Sequence, residues 1–380
     1  MHIAVVSGPF VRVPPVKYGG TERVIYFLIK GLLERGHQVT LLATGDSEVP
    51  GARLIPICEK ELFFGMSKEE HGRVKQESQK IEREAIRILK ALKPEIDIIH
   101  SHGIDLIELQ DFPNLTTLHG KFTLEKMAYY EQRKALFWAS ISENQQDSFP
   151  ELNYAGTVYN GLDPTEFPMV LKPEDYLVFM GRFDREKNPH MAIELALHLG
   201  MKIKLAGKRD YKARGYWEEE IEPHLNNPLV EFVGEVGMAE KIELLSKAKC
   251  NLHPTGFREP FGLTVLEAAY CGTPTLAIER GSMPELIEDG RTGCLVEDYA
   301  EGAHRIEECF AMDRRYISER ARLLFNYHNM AKGYERLYEK VISEFKKRDQ
   351  YPVKPKLSSP QILHPNYFLH RSLNLRGLRS

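Results

Sequence analysis

Short runs of apolar and β-branched residues alternate along most of the chain with stretches of helical periodicity, and no other feature limits the fold as much. In the first half the predicted strands are 3–6, 39–43, 96–100, 115–118, 140–142 and 157–159, with helices such as 21–34 and 77–92 between them. In the second half they are 176–180, 203–206, 230–233, 250–253, 274–278 and 293–296, separated by helices such as 189–199 and 239–248. Alternation of this kind predicts parallel sheets covered by helices on both faces. The strands are apolar throughout rather than at every second residue, the pattern of a sheet buried on both sides. Two such runs of about 160 residues within 380 predict two doubly wound α/β domains.

The stretch 163–175 is polar, carries prolines and lacks periodicity, so the boundary falls there. The predicted organisation is a first domain over 1–165, a second over 166–325, a C-terminal helix over 326–348 and an irregular basic tail over 349–380. Residues 346–380 hold eight Lys or Arg against one Asp. Such a tail reads as a surface-draped segment, with contact to a membrane or a partner as a secondary reading.

A formal charge of −3 excludes a globally basic nucleic-acid binder. The longest apolar run, 24–29, is six residues, far short of a membrane-spanning helix. The chain enters a strand pattern at His2, without the basic and apolar regions of a secretory signal. Five cysteines without a Cys-x-x-Cys pair argue against a disulfide framework or a zinc knuckle, and a reducing cytoplasm is the expected compartment.

Three strand-to-helix connections carry candidate chemistry. After the first strand the chain reaches Gly19-Gly20 at a helix start, where free N–H groups and the helix dipole favour an anion. A plain flexible turn has the same sequence. After 176–180 come Arg182 and, five residues on, Lys187. Two cations at the C-terminal end of a strand suit a diphosphate, Arg as a fork and Lys as a point charge. A solvated charged loop is the alternative. The third connection runs Glu259-Pro260-Phe261-Gly262-Leu263 to Glu267, placing carboxylates on either side of an anion-binding turn. That pairing suits a ligand whose hydroxyls flank a phosphate. The small, apolar surroundings of Glu267 make an unpaired carboxylate there costly.

At these residues the chain resembles the family 4, or group 1, retaining glycosyltransferases. The block from Glu259 to Glu267 is similar to that family's Glu-x7-Glu motif. Gly181-Arg182 with Lys187, Tyr159-Asn160-Gly161, Gly272-Thr273-Pro274 and Pro284-Glu285 through Gly293 follow in the family's order. The resemblance implies the GT-B fold, two Rossmann-like doubly wound domains facing across a cleft. It implies a nucleoside diphosphate sugar as co-substrate rather than a bound cofactor, a hydroxyl acceptor, retention of anomeric configuration and no metal. UDP-hexose is the first choice of donor and GDP-mannose the second. Arg182 and Lys187 would hold the diphosphate, Glu259 the donor sugar and Glu267 the ribose. The N–H groups of Phe261, Gly262 and Leu263 would touch phosphate or sugar, and Gly19 and Gly20 would face the diphosphate. His119 matches a cleft histidine near the sugar, and His102 is a guess for the acceptor side. The base would lie near 232–236, at Glu235 and Val236, by position alone. The C-terminal helix would cross back to the first domain. The acceptor loop is expected over 59–79. A sugar-nucleotide epimerase, a two-domain solute-binding protein and a silent nucleotide-sugar scaffold are the rival readings.

Overall fold

The computed structural model describes residues 1–17, 19–62, 68–209 and 214–350; most of the basic tail lies outside them. In chain order the strands are β1 His2–Val6, β2 Gln38–Thr44, β3 Arg53–Cys58, β4 Ile98–Ser101, β5 Asn114–Thr117, β6 Trp138–Ser140, β7 Tyr154–Thr157, β8 Tyr176–Met180, β9 Lys202–Ala206, β10 Val230–Gly234, β11 Cys250–His253, β12 Thr275–Ile278 and β13 Gly293–Val296. The helices are α1 Gly20–Glu34, α2 Lys68–Leu92, α3 Met127–Glu131, α4 Glu143–Asp147, α5 Pro189–His198, α6 Arg214–Tyr216, α7 Met238–Lys247, α8 Leu263–Tyr270, α9 Met283–Leu286, α10 Gly302–Ala311, α11 Arg314–Leu324 and α12 Tyr327–Gln350.

Two parallel sheets result, a seven-stranded one ordered β3-β2-β1-β4-β5-β6-β7 and a six-stranded one ordered β10-β9-β8-β11-β12-β13. Both faces of each sheet are buried, and successive residues divide between them. Ile3 and Val5 pack with α1, whereas Ala4 and Val6 pack with α2. In the second sheet Val178 and Met180 lie on one side and Leu177 and Phe179 on the other. In the first sheet the strand order reverses between β1 and β4, in the second between β8 and β11. Ligands of open α/β sheets bind at such reversals, beyond the carboxyl ends of the strands.

After the second sheet the chain returns to the first. Asn326 bridges to Leu162. Helix α12 then lies along α1, where a Cβ on Gly31 would sit 2.7 Å from that of Ala331. Glu335 accepts from Arg35 and stands 2.9 Å from His37 Nε2 at the far end of this contact.

Several elements differ from the sequence expectation. Strand β3 was not predicted: it is an edge strand, half exposed, with Pro56 in its middle, so neither apolar continuity nor alternation marks it. Strand β6 ends at Ser140 because Ser142 caps α4, its Oγ accepting from Gln145 N at 3.2 Å. Strand β7 starts at Tyr154, three residues before the predicted start of 157. The expected acceptor loop over 59–79 is helical from Lys68 onward, since Ile81, Ala85, Ile86, Leu89 and Leu92 anchor a helix much longer than its apolar stripe.

Candidate active site

The loops at the second sheet's reversal are stitched together by their own polar groups. After β8, Asp184 Oδ1 accepts from the N–H groups of Glu186 at 3.0 Å and Lys187 at 2.9 Å, folding the loop back on itself. Asn188 takes a left-handed conformation, φ 48°, and its amide donates to the Pro254 carbonyl at 3.0 Å. Gly256 N donates to the Glu186 carbonyl at 2.9 Å. The connection after β8 is thereby fixed against the connection after β11.

This places Lys187 against Glu259. The ammonium is bonded to the carboxylate, and the two side chains are 14% and 15% exposed. His253, at the end of β11 and buried, brings Nε2 to 3.3 Å from the same carboxylate and 3.0 Å from Thr255 Oγ1. Burial opposes ionisation of Glu259, but Lys187 and His253 together hold its carboxyl below the usual range. Burial also pushes His253 down, with the Glu259 bond opposing it. Arg182 stands beside them at the loop's start, 39% exposed, its guanidinium 3.3 Å from Asp184 and 3.8 Å from Glu186.

Phe261, Gly262 and Leu263 lead into α8. Gly262 caps the helix with φ 95°, a left-handed backbone conformation that favours glycine. The first bond of the helix is Val265 N to Gly262 O, and the preceding N–H groups have no acceptor within it. One turn in, Glu267 is 1% exposed and paired with Lys241 of α7, at 2.6 and 2.5 Å to its two oxygens. The cost of burying this carboxylate is offset by a partner 26 residues away. Glu235 and Val236 lie in the turn from β10 to α7, the first exposed and the second half buried.

From the other side, Gly19 caps α1 and Gly20 opens it. A Cβ on Gly20 would be 2.9 Å from Leu263 Cδ1. The N-termini of α1 and α8 therefore lie close together, and each carries the positive end of a helix dipole. Glu22, in the first turn of α1, is raised to about 7 by burial and, less, by Glu61.

His119 follows β5, and its Nε2 is 2.8 Å from His102 Nδ1. His102 in turn lies 4.1 Å, ring to ring, from His100, whose two nitrogens meet Tyr338 of α12 and Thr117, both at 2.7 Å. Burial lowers all three histidines, His119 to about 4. Helix α12 thus supports one wall of the cleft through a buried polar network. Lys121, two residues after His119, is bonded to Glu186, which precedes Lys187, so the loops of the two sheets touch. Glu285 accepts from the N–H groups of Glu143 at 2.8 Å and Asn144 at 2.9 Å and from Tyr159 Oη at 2.8 Å.

Arg182, Lys187 and Glu259 are gathered into one cluster, and Gly20 faces Leu263 at the anion-binding turn. Glu267 lies behind that turn with Lys241, His119 stands on the opposite wall with His102, and Glu235 and Val236 stay at the rim. His253, Lys241 and Lys121 did not emerge from sequence. A polar residue ending an apolar strand was the available signal for His253, and the other two carried none. Among the described residues no three His, Cys, Asp or Glu side chains cluster as a metal site.

Comparison with known proteins places this geometry. The glycosyl transferases group 1 family model matches residues 166–323, and that of glycosyltransferase family 4 matches residues 18–153. A glycogen synthase of Mycobacterium tuberculosis is 25% identical over 399 aligned positions, covering 89% of this chain and 94% of the relative. A D-inositol 3-phosphate glycosyltransferase of Thermobifida fusca is 27% identical over 205 positions, 44% of this chain and 46% of the relative. Anabaena HepE, crystallised with UDP and glucose, shares the fold with a TM-score of 0.69 at 15% identity, over 90% of this chain and all of its own. The two family models together cover five of the seven strands of the first sheet, all six of the second and every candidate site residue, and the chain belongs to the family 4, or group 1, glycosyltransferases.

Proposed function

We propose that the protein transfers a hexose from a nucleoside diphosphate sugar to a hydroxyl acceptor with retention of anomeric configuration and without a metal ion. The observation that carries this reading is the Lys187–Glu259 pair beside Arg182, at a strand-order reversal, together with two helix N-termini that lie close to each other. Negative charge grows on the departing diphosphate as its bond to the sugar breaks. Donors aimed at that charge in advance lower the barrier without reorganising. Arg182, Lys187 and the N–H groups at the start of α8 are such donors. Glu259 accepts hydrogen bonds from sugar hydroxyls while Lys187 bridges it to the phosphates, and Glu267 does the same for the ribose. The acceptor oxygen attacks from the face the diphosphate leaves, and the departing phosphate takes its proton.

In this reading residues 1–165 present the acceptor and 166–325 the donor. UDP-hexose is the first choice of donor, supported by HepE's UDP and glucose complex, and GDP-mannose is the second. Free cysteines at 58, 250, 271, 294 and 309 accord with a cytoplasmic setting. The test is proton NMR of the product anomer formed with exhaustively chelated protein. An inverted product, a requirement for divalent ion, or sugar epimerised without transfer overturns the proposal.

A further inference from the structure

We infer that the acceptor is an uncharged saccharide rather than a phosphorylated one, an inference that rests on the transferase reading and names its substrate class. A cavity of about 300 Å³ opens between the two domains and reaches Glu259. Its size suits one or two sugar rings, and small-molecule sites of this kind combine apolar panels with a few placed polar groups. Phe122 and Phe257 supply the panels, and Asn144 and Ser148 of the α4 region supply amide and hydroxyl groups. Glu259, the residue assigned to the transferred sugar, lies in the same wall. An acceptor hydroxyl seated there is adjacent to the group that orients the donor.

The charges decide the class. Lys121 and Arg258 are the cations in the lining, and each is already matched. Lys121 is bonded to Glu186, and Arg258 stands 3.3 Å from Asp147 and 3.1 Å from Asn144 Oδ1. Both lining cations thus already meet a carboxylate. A phosphate entering here would have to displace Glu186 and Asp147, or sit beside them against like-charge repulsion. The hydroxyls of a neutral sugar accept from Lys121 and Arg258 and donate to Glu186 and Asp147, so all four groups keep a partner.

Matched acceptor pairs test this: glucose with glucose 6-phosphate, inositol with inositol 3-phosphate, and neutral disaccharides, each assayed at saturating UDP-glucose and GDP-mannose. The neutral member should be used with at least tenfold higher kcat/KM. Ser148→Trp, an exposed position whose indole would fill the cavity, should raise acceptor KM at least tenfold and donor KM less than threefold. Asp147→Asn with Glu186→Gln frees two cations and should improve the phosphorylated acceptor about tenfold. Preference for the phosphorylated member, or an acceptor KM within twofold of wild type in both Ser148→Trp and Phe257→Leu, overturns the inference while leaving the transferase reading intact. If calorimetry shows that no sugar nucleotide binds, both fall together.

Discussion

Lys187 and Glu259 meet across two loops that are 72 residues apart in sequence and adjacent only because β8 and β11 are neighbours in the sheet. Neither side chain is more than 15% exposed. Lys187, together with His253, holds the Glu259 carboxyl below its usual range despite burial, and the pair sets one positive and one negative group side by side at the strand-order reversal.

The pair should behave as a unit. Lys187→Ala leaves Glu259 buried with only His253 beside it, and removing one member of a buried pair costs about 3–5 kcal/mol. The second partner puts this loss toward the low end. Lys187→Ala with Glu259→Ala should be less destabilised than the sum of the singles, with a coupling on the order of 0.5–3 kcal/mol. Urea denaturation of the four proteins gives the cycle. Additive losses would show that the contact carries no mutual stabilisation.

Glu259 and Glu267 should separate in kinetics. Glu259→Ala removes a partner of the transferred sugar and should lower kcat most. Glu267→Ala removes a ground-state contact, so donor KM should rise most. Glu267 is buried with Lys241, so that variant is compared with Glu267→Ala/Lys241→Met, which leaves no lone charge. Equal changes in both constants for Glu259→Ala and Glu267→Ala would reject the assignment.

Arg182 is 39% exposed and outside both cores, so its removal should change stability by no more than about 0.5 kcal/mol. Its effect on turnover should be large. Loss of one preorganised donor to developing charge costs about 2.7–4 kcal/mol, roughly 100–1000-fold in kcat. Arg182→Lys should recover little, since an ammonium does not reproduce a bidentate fork. A folded Arg182→Ala protein with more than about a tenth of wild-type turnover contradicts the diphosphate role.

The second sheet was legible because strands such as β8, β12 and β13 are short, fully buried runs of mostly apolar residues, and the placing of Arg182, Lys187 and Glu259 in loops after strands was legible because strand order gives the loops. Strand β3 was not, because an edge position removes the apolar signal. Ion partners were not legible either. That Glu267 needs a partner follows from its apolar surroundings, but that the partner is Lys241 follows from α7 packing beside α8. Likewise Glu285, part of a recognised motif, shows its bond to Asn144 only once the two domains are placed together. Sequence order gives the loops, whereas sheet order gives their neighbours.

Glu22 should make stability fall as pH rises. Burial raises its folded value to about 7 from an ordinary 4.5. Between these values the folded state holds a proton that the unfolded state has lost, so stability declines with pH across that window and stays reduced above it. Glu22→Gln mimics the protonated form. It should raise Tm at pH 8 and leave it nearly unchanged at pH 4. A Tm gain at pH 4 equal to that at pH 8 would remove titration as the cause.

The histidine wall should act in the opposite direction. His119 is lowered to about 4 by burial, against 6.5 for an exposed imidazole. Between pH 4 and 6.5 the unfolded state binds the proton and the folded state does not, so stability rises with pH through this range and levels off above 6.5. His119 Nε2 is engaged by His102, and the ring stays neutral at physiological pH. A neutral ring can orient a sugar hydroxyl by hydrogen bonding but cannot offset phosphate charge. His119→Gln keeps an amide donor and acceptor. It should make the rise in Tm between pH 5 and 7 smaller, with His100 and His102 supplying the remainder, while lowering kcat/KM by only about 10-fold, the order of a single hydrogen bond of about 1–1.5 kcal/mol. His119→Ala should reduce the same rise and lose more activity. The His119 ring protons, followed by NMR, should not titrate above pH 5.5. A titration centred near 6.5 would show that the ring is open to water and that His102 does not hold it.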